Sequence, residues 1–230
     1  MVGRADTLSK LDHQALHGPM TNRLTALGRS LTAEQWAAPS LCEGWRVCDV
    51  FGHMTYGGAT PMYRVLPRLL FLYRGNLNRG SAVESVRYAD TQTQDAVMTE
   101  FERSSHHPVG IGKVIKASER HMDHIVHEMD IRRAIGIDSE WSDNDLRAAL
   151  DAAVRTKTPL IAPAKSASGL HFVATDLDWS YGPTDGPEVA GPAEDLLLAM
   201  CGRPVGLITL RGDGVAVSRL PLGLSHADRL

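Results

Sequence analysis

Residues 123–136, "DHIVHEMDIRRAIG", together with the preceding Met122, combine apolar and metal-binding residue types at the spacing of one α-helix. The apolar side chains recur at three- and four-residue steps, which predicts one face packed into a core. They are Met122, Ile125, Val126 and Met129. Asp123 and His127 are four residues apart, so a helix presents them side by side on a neighbouring stripe. The segment therefore predicts a core helix that can also offer two ligands to one metal ion.

The composition is that of a globular protein with one large domain or two smaller ones. The chain has 230 residues, of which 43% are hydrophobic and 22% are charged, a balance typical of folded chains rather than disordered ones. The most apolar stretch, residues 63–75 "YRVLPRLLFLYRG", is too short to span a bilayer and is interrupted by Arg64, Pro67 and Arg68. We therefore predict no membrane partner.

Charge and cysteine content point to a cytoplasmic protein that acts on a small molecule. A formal net charge of −3 lacks the basic excess of nucleic-acid-binding proteins, so no nucleic-acid partner is predicted. The three cysteines form neither a CxxC pair nor an even disulfide framework, and residues 1–18 lack the apolar run of a secretory signal. Cys42 is predicted to be a small buried hydrophobic residue rather than a nucleophile.

Four principal amphipathic segments predict an up-and-down four-helix bundle over residues 1–158. Their predicted spans are 7–31, 47–72, 82–104 and 112–136. Thr32 is expected to cap a short helix between the first two. A shorter helix is predicted over residues 142–156, with Ser142 as its N-cap.

Residues 159–230 differ in composition and predict a small α+β domain. Short runs rich in valine, leucine, isoleucine and threonine are separated by glycine and proline, as in strands joined by turns. Residues 210–217, "LRGDGVAV", are a hairpin candidate, because Asp213-Gly214 can adopt the positive φ angles of a tight turn. Residues 192–204, "PAEDLLLAMCGRP", predict a helix that begins near the first proline and ends near the glycine.

His53, in the predicted second helix, can supply a third metal ligand. Three nitrogen and oxygen ligands from two bundle helices leave one coordination position open, as in catalytic zinc sites. The spacing by itself leaves alternatives. Asp123 and His127 can instead be exposed or paired with other side chains, and His124 with His127 is a rival pair three residues apart. A metal-free bundle, in which hydrogen bonds satisfy the histidines, is a further alternative.

Two acidic residues are candidates for orienting these histidines. Asp49 precedes His53 by four residues and can accept a hydrogen bond from its ring. Alternatively, Asp49 is a carboxylate favoured by the dipole in the first turn of a helix. Asp130 follows His127 by three residues and can orient it in the same way, or it can pair with Arg133.

Several ordered motifs resemble one protein family. Residues 31–53, "LTAEQWAAPSLCEGWRVCDVFGH", match the pattern of a tryptophan, a proline and then C-x-GW-x-V-x-D-V-x-x-H. Residues 124–136, "HIVHEMDIRRAIG", look like a second motif, in which an acidic residue precedes a histidine by four positions and D-[IL]-x-R-A-x-G follows. Residues 174–182 and 191–204 resemble the C-terminal domain of the same family. The chain thus resembles the mycothiol-dependent maleylpyruvate isomerases, which are related to DinB-like metal-binding bundles.

The resemblance implies a mainly α fold, in which a DinB-like four-helix bundle is followed by a small α+β domain. It also implies a divalent metal, usually zinc, bound by His53, Asp123 and His127. These three residues would contribute to catalysis through that metal. The implied thiol is mycothiol, a low-molecular-weight actinobacterial cosubstrate. The implied activity is that of an isomerase or a thiol S-transferase acting on a small electrophile.

One departure from the family pattern concerns the acidic ligand. The family usually has glutamate where this chain has Asp123, which is one methylene shorter. The ion then shifts toward that helix, binds more weakly, or uses His124 instead. Because function depends on the pocket rather than the fold, a non-catalytic metal- or ligand-binding regulatory module is the alternative function. A homodimer is compatible with the sequence, which does not specify an oligomeric state.

Overall fold

The computed structural model describes residues 10–157 and 163–217, and helices dominate them. The helices are α1 (Lys10–Ser30), α2 (Ala33–Ala37), α3 (Val47–Ala59), α4 (Met62–Phe71), α5 (Leu77–Asp90), α6 (Gln94–His106), α7 (Ala117–Arg132), α8 (Asp143–Ala153), α9 (Pro163–Ser166), α10 (Ala193–Met200) and α11 (Asp213–Val217). Two short 3₁₀ helices span Gly110–Lys113 and Pro204–Ile208. The predicted mainly α fold class is confirmed. The predicted domain boundary between residues 158 and 159 lies outside the described residues.

Two predicted helices are each divided in the structure. The second ends at Ala59, and α4 begins after Pro61, because a proline disfavours helical geometry in the residue before it. The third is interrupted between α5 and α6, where the side chain of Thr93 accepts a hydrogen bond from the backbone of Ala96 and starts a new helix. The predicted caps at Thr32 and Ser142 are confirmed.

Residues 17–116 and 127–140 form one compact, helical unit. Helix α3 packs against α5 and α6 and buries Val47, Val50 and Phe51 completely. At Gly52 an added Cβ atom would lie 2.6 Å from the backbone oxygen of Ser85. The absence of a side chain at this position therefore lets α3 and α5 approach closely.

A buried ionic network joins α7 to α1 within this unit. The carboxylate of Glu128 accepts hydrogen bonds from the guanidinium of Arg23 at 3.0 Å and from that of Arg132 at 2.9 Å. Arg132 also donates to the carboxylate of Glu140 at 3.0 Å. Glu128 is completely buried, so its negative charge requires these partners.

Residues 10–16, 117–126, 141–157 and 163–217 form the other compact unit, and α1 and α7 thus supply residues to both. Its three strands, in the order β2-β1-β3, are β1 (His171–Ala174), β2 (Ser180–Tyr181) and β3 (Glu188–Gly191). Strand β1 pairs antiparallel with β2 and parallel with β3. The predicted helix over 192–204 is confirmed as α10, whose buried leucines pack beside β1 and β3.

The predicted hairpin over residues 210–217 is wrong. Arg211 forms an isolated antiparallel bridge with Ala190, and Asp213–Val217 is the short helix α11. The backbone of Glu188 lies only 2.6 Å from where a Cβ atom on Gly214 would be. This glycine therefore permits close packing of α11 on β3 and does not form a turn between two strands. Within the described residues, the structure contains no helix that is long and apolar enough to cross a membrane.

Candidate metal centre

A short loop before α3 brings Cys42 and Trp45 to the second half of α7. The hydroxyl of Ser40 donates to the backbone oxygen of Trp45 at 2.9 Å, which closes the loop on itself. The backbone N–H of Leu41 donates to the backbone oxygen of Asp130 at 3.1 Å. The loop is therefore fastened to α7 through backbone groups, so it holds its side chains in a defined place.

His53 on α3 and His127 on α7 lie next to each other. Their ring centroids are 5.0 Å apart, and the rings are nearly perpendicular, at 70°. The indole of Trp45 lies 5.3 Å from the ring of His53 and 6.4 Å from that of His127. His127 and Trp45 are buried and His53 is half-buried, so the two imidazoles share a largely water-excluded environment.

The structure brings all three predicted metal ligands together. One potential ligand atom each from His53, Asp123 and His127 lies within 4.8 Å of the other two. Asp123 is half-buried, one helical turn before His127 on α7. Two imidazoles and one carboxylate are a donor set that suits zinc, so these residues fit a divalent ion. In the described residues, neither of the two clusters of potential ligands includes His124.

His127 also belongs to a second cluster of potential ligands. Its Nδ1 atom lies 3.0 Å from Oδ2 of Asp130 and 3.7 Å from Sγ of Cys42. Cys42, His127 and Asp130 form the second group of potential ligands, and all three are buried. The prediction that Asp130 lies beside His127 agrees with this geometry. Sequence reasoning missed the contact with Cys42, for which the only signal was its position in the C-x-GW motif.

His53 is oriented by two serines that sequence reasoning also missed. Its Nδ1 atom lies 3.3 Å from the hydroxyl of Ser81 and 3.3 Å from that of Ser85. The serines are four residues apart on α5, so they lie on one face of that helix. This i, i+4 spacing was the available signal, but sequence alone does not place that face against α3.

For Asp49, the structure shows the contacts of the second role that the sequence left open. Asp49 accepts hydrogen bonds from the backbone N–H and the guanidinium of Arg46, at 2.8 and 2.9 Å. These bonds close the N-terminus of α3, where a negative charge also suits the helix dipole. The alternative role, a carboxylate in the first turn of a helix, is therefore the one that Asp49 has.

Cys48 is the other cysteine of the motif region, and its environment keeps it protonated. Burial raises the pKa of the Cys48 thiol to about 11, and the negative charge of neighbouring Asp49 adds to the effect. Since only the thiolate is strongly nucleophilic, Cys48 is unreactive at neutral pH.

Part of the chain is similar to a known protein family. Residues 17–71 match the family model described as the mycothiol maleylpyruvate isomerase N-terminal domain. The family resemblance predicted from the sequence is thereby confirmed, and the matched segment contains His53 and Cys42. Asp123 and His127 lie outside it, and the role of all three residues, His53, Asp123 and His127, as ligands stays a prediction.

Two solved structures share the fold. They are crystal structures of the mycothiol-dependent maleylpyruvate isomerase and of a histidine-to-alanine mutant of it. Each has a TM-score of 0.57 and 16% sequence identity, and the match covers 90% of this chain and 93% of the other. At this identity the likeness shows a common fold. No curated protein matches the chain.

Proposed function

We propose that the chain is a metal-dependent enzyme that uses mycothiol, as an isomerase or a thiol S-transferase, on a small electrophile. The observation that carries the proposal is the convergence of His53, Asp123 and His127 within 4.8 Å. The match of residues 17–71 to a mycothiol maleylpyruvate isomerase domain supports the choice of thiol. Zinc is the proposed ion, because its preferred ligands include imidazole nitrogen and carboxylate oxygen.

Hydrogen-bonding side chains fix the orientation of the two imidazole rings. Ser81 and Ser85 contact Nδ1 of His53, and Asp130 contacts Nδ1 of His127, so both rings direct Nε2 away from these partners. Fixing the ring orientation in advance lowers the entropic cost of binding an ion.

Charge explains why a thiol would react here. Two neutral imidazoles and one carboxylate contribute a single negative charge. A divalent ion held by them would retain positive charge and favour the thiolate form of a thiol beside it. Trp45 covers the rings of His53 and His127, which excludes water and strengthens electrostatic interactions.

The thiol can support either reaction by one pair of steps. The thiolate sulfur adds to an electrophilic carbon of a double bond conjugated to a carbonyl group, forming a C–S bond. The electron pair of the double bond moves onto the carbonyl group as an enolate, and the former double bond becomes free to rotate. If the C–S bond then breaks, the electron pair re-forms the double bond, the thiolate is released and the product is the trans isomer. If it does not break, a proton is taken up and the product is a thiol adduct. The pocket around the electrophile determines which outcome prevails.

Elemental analysis of the purified protein tests the metal site. We expect close to one zinc per chain in the wild type, and loss of that zinc in His53→Ala and in His127→Ala with unchanged far-UV circular dichroism. His106→Ala is the matched control, because His106 is exposed at the end of α6. Wild-type protein without metal, even after incubation with zinc, would contradict the proposal.

A thiol assay tests the reaction. The zinc-loaded protein is given mycothiol and maleylpyruvate, and the loss of thiol and the formation of the trans isomer are followed separately. Isomer without loss of thiol identifies an isomerase, and loss of thiol identifies a transferase. Bound zinc with neither result, across a panel of small electrophiles, would instead support the non-catalytic binding module.

A further inference from the structure

The thiol of Cys42 and the imidazole of His127 meet at one carboxylate oxygen. Sγ of Cys42 donates to Oδ2 of Asp130 at 3.0 Å, and Nδ1 of His127 lies 3.0 Å from the same oxygen. Asp130 is completely buried and Cys42 is 8% exposed. The hydrogen-bonded series of His127, Asp130 and Cys42 is therefore shielded from water. Hydrogen bonds are stronger in such an interior than in water.

The chemistry of the three groups fixes the direction of these hydrogen bonds. An ionised carboxylate only accepts, so the hydrogen between Asp130 and His127 belongs to Nδ1 of the imidazole. A neutral imidazole protonated on Nδ1 has its lone pair on Nε2, which is the atom available to a metal. The thiol hydrogen of Cys42 then goes to Oδ2, because the nearby Nδ1 already carries a hydrogen.

The backbone holds Cys42 in place for this role. Its N–H donates to the hydroxyl of Ser40 at 3.1 Å, and the adjacent Leu41 is bonded to the backbone oxygen of Asp130. The thiol therefore approaches the carboxylate from a loop that is itself fastened to α7. A side chain held by such a loop can fix the torsion of Asp130 and, through it, the orientation of the His127 ring.

We propose that Cys42 is a positioning residue for the metal centre. Its thiol orients Asp130, and Asp130 fixes the tautomer and the ring orientation of His127 as a ligand. This inference rests on the proposed function, since it requires that His127 binds the ion. It assigns Cys42 neither to the metal nor to the electrophile, although Cys42, His127 and Asp130 form a possible ligand group of their own.

The first test measures the dissociation constant for zinc by competition with a chelator. Cys42→Ser keeps a hydrogen-bond donor and should stay within about threefold of the wild type. Cys42→Val replaces the thiol by an apolar group of similar volume, and we expect binding about 10- to 100-fold weaker, as for other groups that orient metal ligands. Cys201→Val is the matched control, because Cys201 is buried at the end of α10, and should leave zinc binding unchanged.

A double-mutant cycle tests whether Cys42 acts through Asp130. In the Asp130→Ala background, Cys42→Val should weaken zinc binding by no more than about threefold, since the intermediary is gone. The full 10- to 100-fold loss in that background would overturn the proposal. Equal losses in Cys42→Ser and Cys42→Val, or no loss in Cys42→Val, would also overturn it.

Cobalt substitution tests the alternative in which Cys42 is itself a metal ligand. A thiolate bound to Co²⁺ gives an intense near-ultraviolet charge-transfer band. We expect the band to be absent; its presence in the wild type and loss in Cys42→Ser would make Cys42 a ligand and overturn the positioning role. If the wild type binds no metal, the proposed function itself fails. If it binds one ion and Cys42→Val binds equally well, only the positioning role fails.

Discussion

Two buried carboxylates on α7 lie two residues apart and have different kinds of partner. Glu128 and Asp130 are both completely buried. Glu128 accepts from two guanidinium groups, those of Arg23 and Arg132. Asp130 accepts from the thiol of Cys42 and lies 3.0 Å from Nδ1 of His127. Residues two apart on a helix point to nearly opposite sides, so one turn of α7 serves two different clusters.

The difference shows that the partner, rather than burial, marks the candidate site. Arginine keeps its proton at every accessible pH and does not ligate metals, so the contacts of Glu128 with Arg23 and Arg132 can only hold helices together. Imidazole binds metals through a neutral nitrogen, and a carboxylate on its other nitrogen improves it as a ligand. We therefore expect perturbation of Glu128 to affect folding and perturbation of Asp130 to affect metal binding.

The largest effect on stability should come from Glu128→Gln. The substitution leaves two guanidinium groups facing a neutral amide in a buried environment, and losing one member of a buried ionic network costs about 3–5 kcal/mol. Urea unfolding of the metal-free protein measures the loss. Zinc binding by the folded fraction should stay at the wild-type value. A loss below about 1 kcal/mol would mean that the network contributes little, and the contrast with Asp130 would fail.

Asp130→Ala should have a smaller effect on stability and a larger one on the metal. Removing a buried hydrogen-bond acceptor costs about 1–3 kcal/mol. We expect zinc affinity to fall about 10- to 100-fold, because the ring of His127 loses the group that fixes its tautomer. Chelator competition on the same preparation that is used for unfolding separates the two quantities. Unchanged zinc affinity would remove Asp130 from the proposed centre.

Asp49→Asn sharpens the comparison with a carboxylate that caps a helix. Asp49 pairs with Arg46 at the start of α3, so we expect a loss of about 0.5–2 kcal/mol in unfolding free energy, typical of a lost cap. Zinc affinity should not change, since no ring nitrogen is oriented by this carboxylate. Weaker zinc binding in this variant would instead support the prediction that Asp49 orients His53.

Arg29→Gln provides the smallest effect. Arg29 and Glu102 form an exposed ion pair at 3.0 Å, with side chains 46% and 43% exposed. Solvent screens such pairs, so the free energy of unfolding should change by less than about 0.5 kcal/mol. A loss comparable to that of Glu128→Gln would show that solvent exposure does not separate weak from strong ion pairs in this protein.

Periodic patterns predicted the helices well, and their interruptions poorly. Hydrophobic spacing is set by 3.6 residues per turn, so it identifies α1, α3 and α7 from local sequence. The point where one helix ends and the next begins depends on a single residue, such as Pro61 or Thr93. Such a point is hard to recognise when the apolar pattern continues across it. The hairpin prediction was wrong for another reason. Gly214 allows close packing against β3, and a glycine in the sequence does not by itself distinguish such packing from a turn.

The sequence by itself determined that Asp123, His127 and Asp130 lie along α7 at ligand spacing, because helical geometry is local and repeats with every turn. Only the tertiary structure decided that His53 lies beside His127 and that Cys42 reaches Asp130, which is 88 residues away in the chain. Such contacts depend on how α3 packs against its neighbours and where the loop before it is fastened. Their energy comes from long-range packing, which no local pattern encodes.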